Sequence, residues 1–159
     1  MHQHAGPEDA LVDAVMTAGR ALLAVAARSL AAVDEDVTLP QYRTLVVLAQ
    51  YGARRPADLA ASLSVTPSTA TRMCDRLVAK GLIDRERSDD DRRAVAVALT
   101  RAGEQLVRDV TGRRSNELGR LLGAMPQDHR QAVVEGLRSF SEAAGEVAEP
   151  EWALAPPRL

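Results

Sequence analysis

Apolar residues recur at helical spacing through most of the chain. Leu11, Val15, Ala18, Leu22, Val25 and Leu30 fall three to five residues apart and predict a first helix over 8–33. Asp34-Glu35-Asp36 breaks the pattern. Thr38-Leu-Pro-Gln41 then reads as a capping box opening a second helix, with Tyr42, Leu45, Val46 and Ala49 on one face and Gly52 at its end. Pro56 starts a short third helix to Leu63, and Ser64-Val65 turns the chain. Thr66-Pro67 opens a fourth helix over about 66–80, because proline at the first helical position lacks the donor that would be orphaned there anyway. Ala70, Met73 and Leu77 form its inward face, and Gly81 stops it. The period then drops to two. Leu82–Arg87 and Ala94–Leu99 flank the polar tip Ser88–Arg93, which predicts a hairpin over about 82–99. Thr100 caps a fifth helix to about Gly123, apolar at Leu106 and Val110, polar from Thr111 to Glu117, and apolar again at Leu118, Leu121 and Leu122. Pro126 begins a sixth, with Val133, Leu137, Phe140 and Ala144 on one stripe and Gly145 closing it. The tail, 146–159, predicts no regular element. The fold class is mainly α with a small β-hairpin.

Composition narrows the function. A chain of 159 residues suits one domain plus an assembly element, and only four aromatics leave the core to Ala, Leu and Val. The lone Cys74 cannot form an internal disulfide, which fits a reducing compartment. No apolar run is expected to reach the ~18 residues of a membrane span, and Met1–Asp9 lacks the basic-then-apolar layout of a signal peptide. A cytoplasmic protein without membrane contact is the expectation. His2, His4 and His129 make no metal cluster, and neither a Gly-rich phosphate loop nor a recognisable nucleophile setting is present. An enzyme, a metal and a cofactor are therefore not expected. Net charge is −2, yet residues 52–101 carry ten Lys/Arg against seven Asp/Glu, while the rest carries ten against fifteen. A basic middle between acidic ends suggests one surface aimed at an anion.

Two short helices joined by a tight turn, the second opened by Thr-Pro, have the layout of a helix-turn-helix. The second helix could enter a major groove N-terminus first. Thr66, Ser68, Thr69, Thr71, Arg72 and Arg76 are its candidate DNA contacts, beside an outward Asp75. Short hydroxyls allow close approach to phosphates and base edges, and arginine can bridge guanine bidentately. The hairpin tip adds Arg92 and Arg93, which could reach a flanking minor groove. Asp89, Asp90 and Asp91 share that loop; Asp91, two residues before Arg93, could either repel phosphate or hold the guanidinium in one orientation.

These residues carry a resemblance. From about Glu8 to Gly145 the chain resembles the MarR-type (multiple-antibiotic-resistance regulator) transcription factors. The most specific stretch is Val65-Thr-Pro-Ser-Thr-Ala-Thr-Arg-Met-Cys-Asp-Arg-Leu-Val-Ala-Lys-Gly-Leu-Ile83, followed by Asp91-Arg-Arg93 and Leu99-Thr100-Arg-Ala-Gly103. The resemblance implies a winged helix-turn-helix at 38–100, set between terminal helices (8–33 and 101–145) that form a homodimer. It implies Ser68, Thr69 and Arg72 in the major groove, Arg93 at the wing tip and Asp91 orienting it. It further implies a repressor that answers to a small anionic or phenolic effector, with an effector site the sequence does not identify. One departure is the aspartate-rich tip, where the family often has proline beside Asp89.

Dimerisation also has its own argument. The apolar stripes of the first and sixth helices and the Leu118–Leu122 cluster exceed what a hairpin and three short helices can cover, and a two-fold dimer suits a palindromic site. Two other readings stand beside double-stranded DNA recognition: a winged-helix module that binds only protein, and a regulator that senses oxidants through Cys74. For Cys74, next to inward Met73, part-buried packing is the preferred reading.

Overall fold

The structure is a computed structural model and describes residues 6–87 and 95–147. Helix α1 spans Pro7–Ala31, α2 Leu39–Tyr51, α3 Pro56–Ser62 and α4 Pro67–Ala79; strands β1 (Ile83–Arg87) and β2 (Val95–Leu99) follow, then α5 (Arg101–Gly123) and α6 (Arg130–Ala143). The start signals act as their chemistry requires. Thr38 Oγ1 accepts the Gln41 amide at 3.4 Å while Gln41 Oε1 accepts the Thr38 amide at 3.0 Å, completing the box that opens α2. At the other ends, Gly52 and Gly81 take φ of 73° and 70°, the left-handed stop that an L side chain resists. One boundary differs. Pro126 leads into a 3-10 turn, Gln127–His129, before α6 proper begins.

The core lies between α2, α3, α4, the hairpin and the first half of α5. Leu45, Leu59, Leu77, Ile83, Val97, Val107 and Val110 are fully buried there. The Tyr42 hydroxyl lies 3.4 Å from Thr111 Oγ1, a buried polar link between α2 and α5. β1 and β2 pair antiparallel, Ile83 opposite Leu99 through Arg87 opposite Val95. A third strand is reduced to one residue. Arg54, just before α3, exchanges both backbone bonds with Val97, at 3.0 and 2.8 Å. A single bridging residue leaves no period in the sequence, which explains why the hairpin alone was expected.

On α4 the inward face is Ala70, Cys74 and Leu77, with Met73 only half-buried. Cys74 is 1% exposed, deeper than the part-buried packing expected of it. Met73 sits instead at the edge, its sulfur 2.8 Å from Thr44 Oγ1.

The terminal helices are different. Of the stripe on α1 only Val25 and Leu30 are buried, together with Ser29; Leu11 is 65%, Met16 60% and Leu23 59% exposed. On α6 the stripe is likewise uncovered, with Phe140 54% exposed. The expectation that no apolar run is long enough for a membrane is corrected here. By length and composition α1 is apolar enough to cross one, the single such helix among the described residues. Its alanines carry that apolar character without looking like a hydrophobic run. The C-terminal third of α1 nevertheless belongs to the domain: Val25 and Leu30 are buried in it and Arg28 is ion-paired with Glu117 of α5.

Candidate nucleic-acid interface

The turn between α3 and α4 sets the presentation of α4. Ser64 takes φ of 53°, an uncommon conformation for a non-glycine residue, and the Val65 amide closes back onto the Ala60 carbonyl at 3.0 Å. Thr66 then caps α4. Its Oγ1 accepts the Thr69 amide at 3.3 Å and lies 2.9 Å from Thr69 Oγ1 and 3.1 Å from Ser68 Oγ. Arg72 Nη2 donates to Thr69 Oγ1 at 3.4 Å, so the guanidinium leans toward the helix N-terminus. The helix start thus carries a linked set of hydroxyls, one arginine and the positive end of the helix dipole, all suited to an anion.

Thr66, Ser68, Thr71, Arg72 and Arg76 are exposed, and Thr69 is half-buried. The structure brings these six sequence-identified residues onto one helix face. Thr71 is partly committed: its hydroxyl donates to the Pro67 carbonyl at 3.0 Å, leaving its methyl and lone pairs for a ligand. Asp91, Arg92 and Arg93 lie outside the described residues.

Asp75 would oppose a polyanion from the middle of this face. It is ion-paired with Arg85 of β1, both side chains about half exposed. Arg85 was not singled out by the sequence. The strand's period of two is its signal: Arg85 shares a face with buried Ile83 and so reaches back to α4. The pair joins the helix to the base of the hairpin and cancels the charge on the face.

Cys74, behind this surface, is a packing residue. Burial first, and then the Asp75 charge, push its thiol above the ordinary value, with Arg85 acting the other way. The protonated, unreactive form is favoured through neutral pH. The stability linked to it is fully present below the ordinary thiol pKa and is lost as pH rises through the raised one. Cys74→Ala is expected to cost roughly 1 kcal/mol or a little more in denaturant unfolding. The response of DNA binding to peroxide should stay as in the wild type; a peroxide response that disappears in the variant would make Cys74 a sensor.

The comparisons with known proteins meet this geometry at the same residues. A family model described as the MarR family matches residues 37–95, from the entrance of α2 to the start of β2. YfiV, an HTH-type transcriptional regulator of Bacillus subtilis, is 32% identical over 108 residues, 68% of each chain. The chain belongs to the MarR family. The transcriptional repressor MprA of Escherichia coli is 35% identical over 86 residues, 54% of this chain and 49% of that protein. Among solved structures, RV1404 from Mycobacterium tuberculosis is similar with TM-score 0.84 and 43% identity, covering 90% of this chain and 97% of that one. FabT of Streptococcus pneumoniae, solved in complex with DNA, shares the fold at TM-score 0.73 and 21% identity, covering 87% and 97%. As a MarR-family member the chain is a winged-helix DNA-binding transcriptional regulator and not an enzyme. This decides against the module that binds only protein.

Proposed function

We propose that the protein binds a palindromic operator as a homodimer in the cytoplasm and represses transcription until a small anionic or phenolic effector releases it. The observation that carries the DNA reading is the face of α4. Thr66, Ser68, Thr69, Thr71 and Arg72 lie at the cap and in the first two turns of the helix, Arg76 lies in its last turn, and Asp75 is neutralised by Arg85. In this reading α4 enters the major groove, and Arg92 and Arg93 meet the flanking backbone or minor groove, with Asp91 orienting Arg93. Repression is supported by the repressor relative MprA.

The helices over 8–33 and 101–145 form the dimer in this proposal, since their apolar faces are left exposed among the described residues. An effector would act best where it touches both the DNA-reading lobe and these helices. A cleft of about 250 Å³ does so, with Arg43, Tyr51 and Arg54 on one side and Ala144–Glu146 on the other. The Arg54 guanidinium stands 5.2 Å from the Tyr51 ring centre, and Glu146 is ion-paired with Arg43. An aromatic anion could stack on Tyr51 and take Arg43 from Glu146.

The test divides helix from wing. Arg72→Ala should cost about 1–3 kcal/mol on the best operator and relax preference at one position per half-site. Arg93→Ala should weaken cognate and scrambled duplexes nearly alike, and flatten the log-log salt slope by about one unit per lost contact. Asp91→Ala should act as a milder Arg93→Ala if the carboxylate orients the arginine, and should tighten binding if it only repels phosphate. Fluorescence anisotropy across a salt series reads all three. Arg72→Ala with unchanged affinity and preference would remove α4 from the groove.

A further inference from the structure

Where α1 crosses α5 there is a second cleft, of about 330 Å³, at the lower end of the ~300–1,000 Å³ common for small-molecule sites. Three arginines line it: Arg28 from α1, and Arg113 and Arg120 from α5. Glu117, its one acidic group among the described residues, is ion-paired with Arg28. Arg113 has no ion pair or hydrogen bond among the described residues, and Arg120 makes only a 3.5 Å bond from Nε to the Asn116 carbonyl of its own helix. Among the described residues, two of the three cationic charges are thus left without an ion pair. In the same wall Ser29 is 3% exposed, and its hydroxyl is the one buried side-chain polar atom among the described residues without a hydrogen-bond partner. An unpaired buried hydroxyl is disfavoured unless something meets it. Among the described residues Ala32 is the only aliphatic side chain of the lining, and no aromatic ring contributes.

We propose that this cleft binds a small phosphate-bearing anion. Guanidinium groups of Arg113 and Arg120 would grip its oxygens, Ser29 Oγ–H would donate a further bond, and the Asn116 amide could reach another oxygen. A polar wall without rings gives a lipophilic phenol nothing to stack on, so this site differs in chemistry from the cleft at Tyr51. The volume leaves room for a compact organic group beyond the phosphate itself. The site joins α1 to α5, so its ligand braces the two helices against each other, whether or not DNA is bound.

The experiment uses the full chain without DNA, in chloride buffer of constant ionic strength, titrated calorimetrically with inorganic phosphate and separately with glycerol phosphate. Saturable binding, one ligand per chain, is expected for both, and tighter for glycerol phosphate if the organic group occupies the remaining volume. Arg113→Gln should weaken binding about tenfold or more, as loss of a charge-assisted contact does. Ser29→Ala should weaken it less while raising thermal stability without ligand. Operator affinity of Arg113→Gln at matched ionic strength should equal that of the wild type. Absence of saturable phosphate binding, or binding unchanged in Arg113→Gln, overturns the site. If Arg113→Gln loses operator affinity and the wild type binds no free phosphate, the arginines serve the DNA backbone and the proposal is equally overturned.

Discussion

Gly103→Ala is expected to destabilise the protein by more than about 3 kcal/mol, beyond the range of ordinary substitutions. Thr100 caps α5 by accepting the Gly103 amide at 3.2 Å, and donates its own hydroxyl to the Gly81 carbonyl at 2.6 Å. The Thr100 amide meanwhile donates to the Leu82 carbonyl at 3.1 Å. The end of α4, the start of β1 and the first turn of α5 are thereby fastened at one point. At that point α5 lies directly on the backbone. A Cβ on Gly103 would stand 2.1 Å from the Leu82 carbonyl oxygen and 3.1 Å from its carbonyl carbon. Backbone cannot rotate away as a side-chain tip can, so α5 must lift and the cap must open. Glycine-to-alanine changes in a helix otherwise gain up to about 1 kcal/mol. Gly119→Ala, on the same helix with nothing within 4 Å of the added carbon, supplies that comparison. Thermal and denaturant unfolding of the two variants should move in opposite directions. DNA affinity should fall with Gly103→Ala, because α4 loses its fixed angle to α5. A Gly103→Ala protein as stable as the Gly119→Ala protein would show that the contact yields freely.

That junction also marks what the sequence can reveal. Local signals carried the elements well: the caps at Thr38, Thr66 and Thr100, the prolines behind the first two and the glycine stops act over a few residues, so spacing alone exposes them. The exposed hydroxyls and arginines of α4 were legible for the same reason, since helical period and cap together fix which side faces out. Features that depend on a distant neighbour were not. The close approach of Gly103 to Leu82 is invisible without the partner backbone. The Arg54–Val97 bridge has no period, and the Asp75–Arg85 pair needs the angle between α4 and β1. On α4, Met73 and Cys74 both fit an inward stripe by spacing. Only packing against α2 decides that the smaller Cys74 enters the core while Met73 stays at the margin. The apolar length of α1 was missed for another reason: it is spread over alanines around Asp13 and Arg20 rather than gathered in one run.

If the proposed homodimer forms through α1, replacing Met16 and Leu23 together by glutamate should leave the single chain folded and abolish that dimer. The two side chains are seven residues apart and so share a helix face with Val12, which is 61% exposed. Because they touch little in their own chain, their loss costs its fold little. In a two-fold dimer each substitution counts twice. Four buried Met or Leu side chains, at about 1.5–3 kcal/mol each, would contribute on the order of 6–12 kcal/mol by transfer alone. Burying an unpaired carboxylate in their place is costlier still. Dissociation should therefore strengthen by about 10⁴-fold or more, enough to leave monomer at micromolar concentration. Sedimentation velocity checks the mass and circular dichroism the helix content. Operator affinity should fall steeply, since two linked half-site contacts become two independent ones. A bilayer-seeking helix would behave otherwise: wild-type protein would partition onto neutral lipid vesicles, and the glutamates would release it without changing its mass in solution. A double variant that sediments as a dimer with wild-type operator affinity would place the interface elsewhere, on the uncovered faces of α5 and α6 alone.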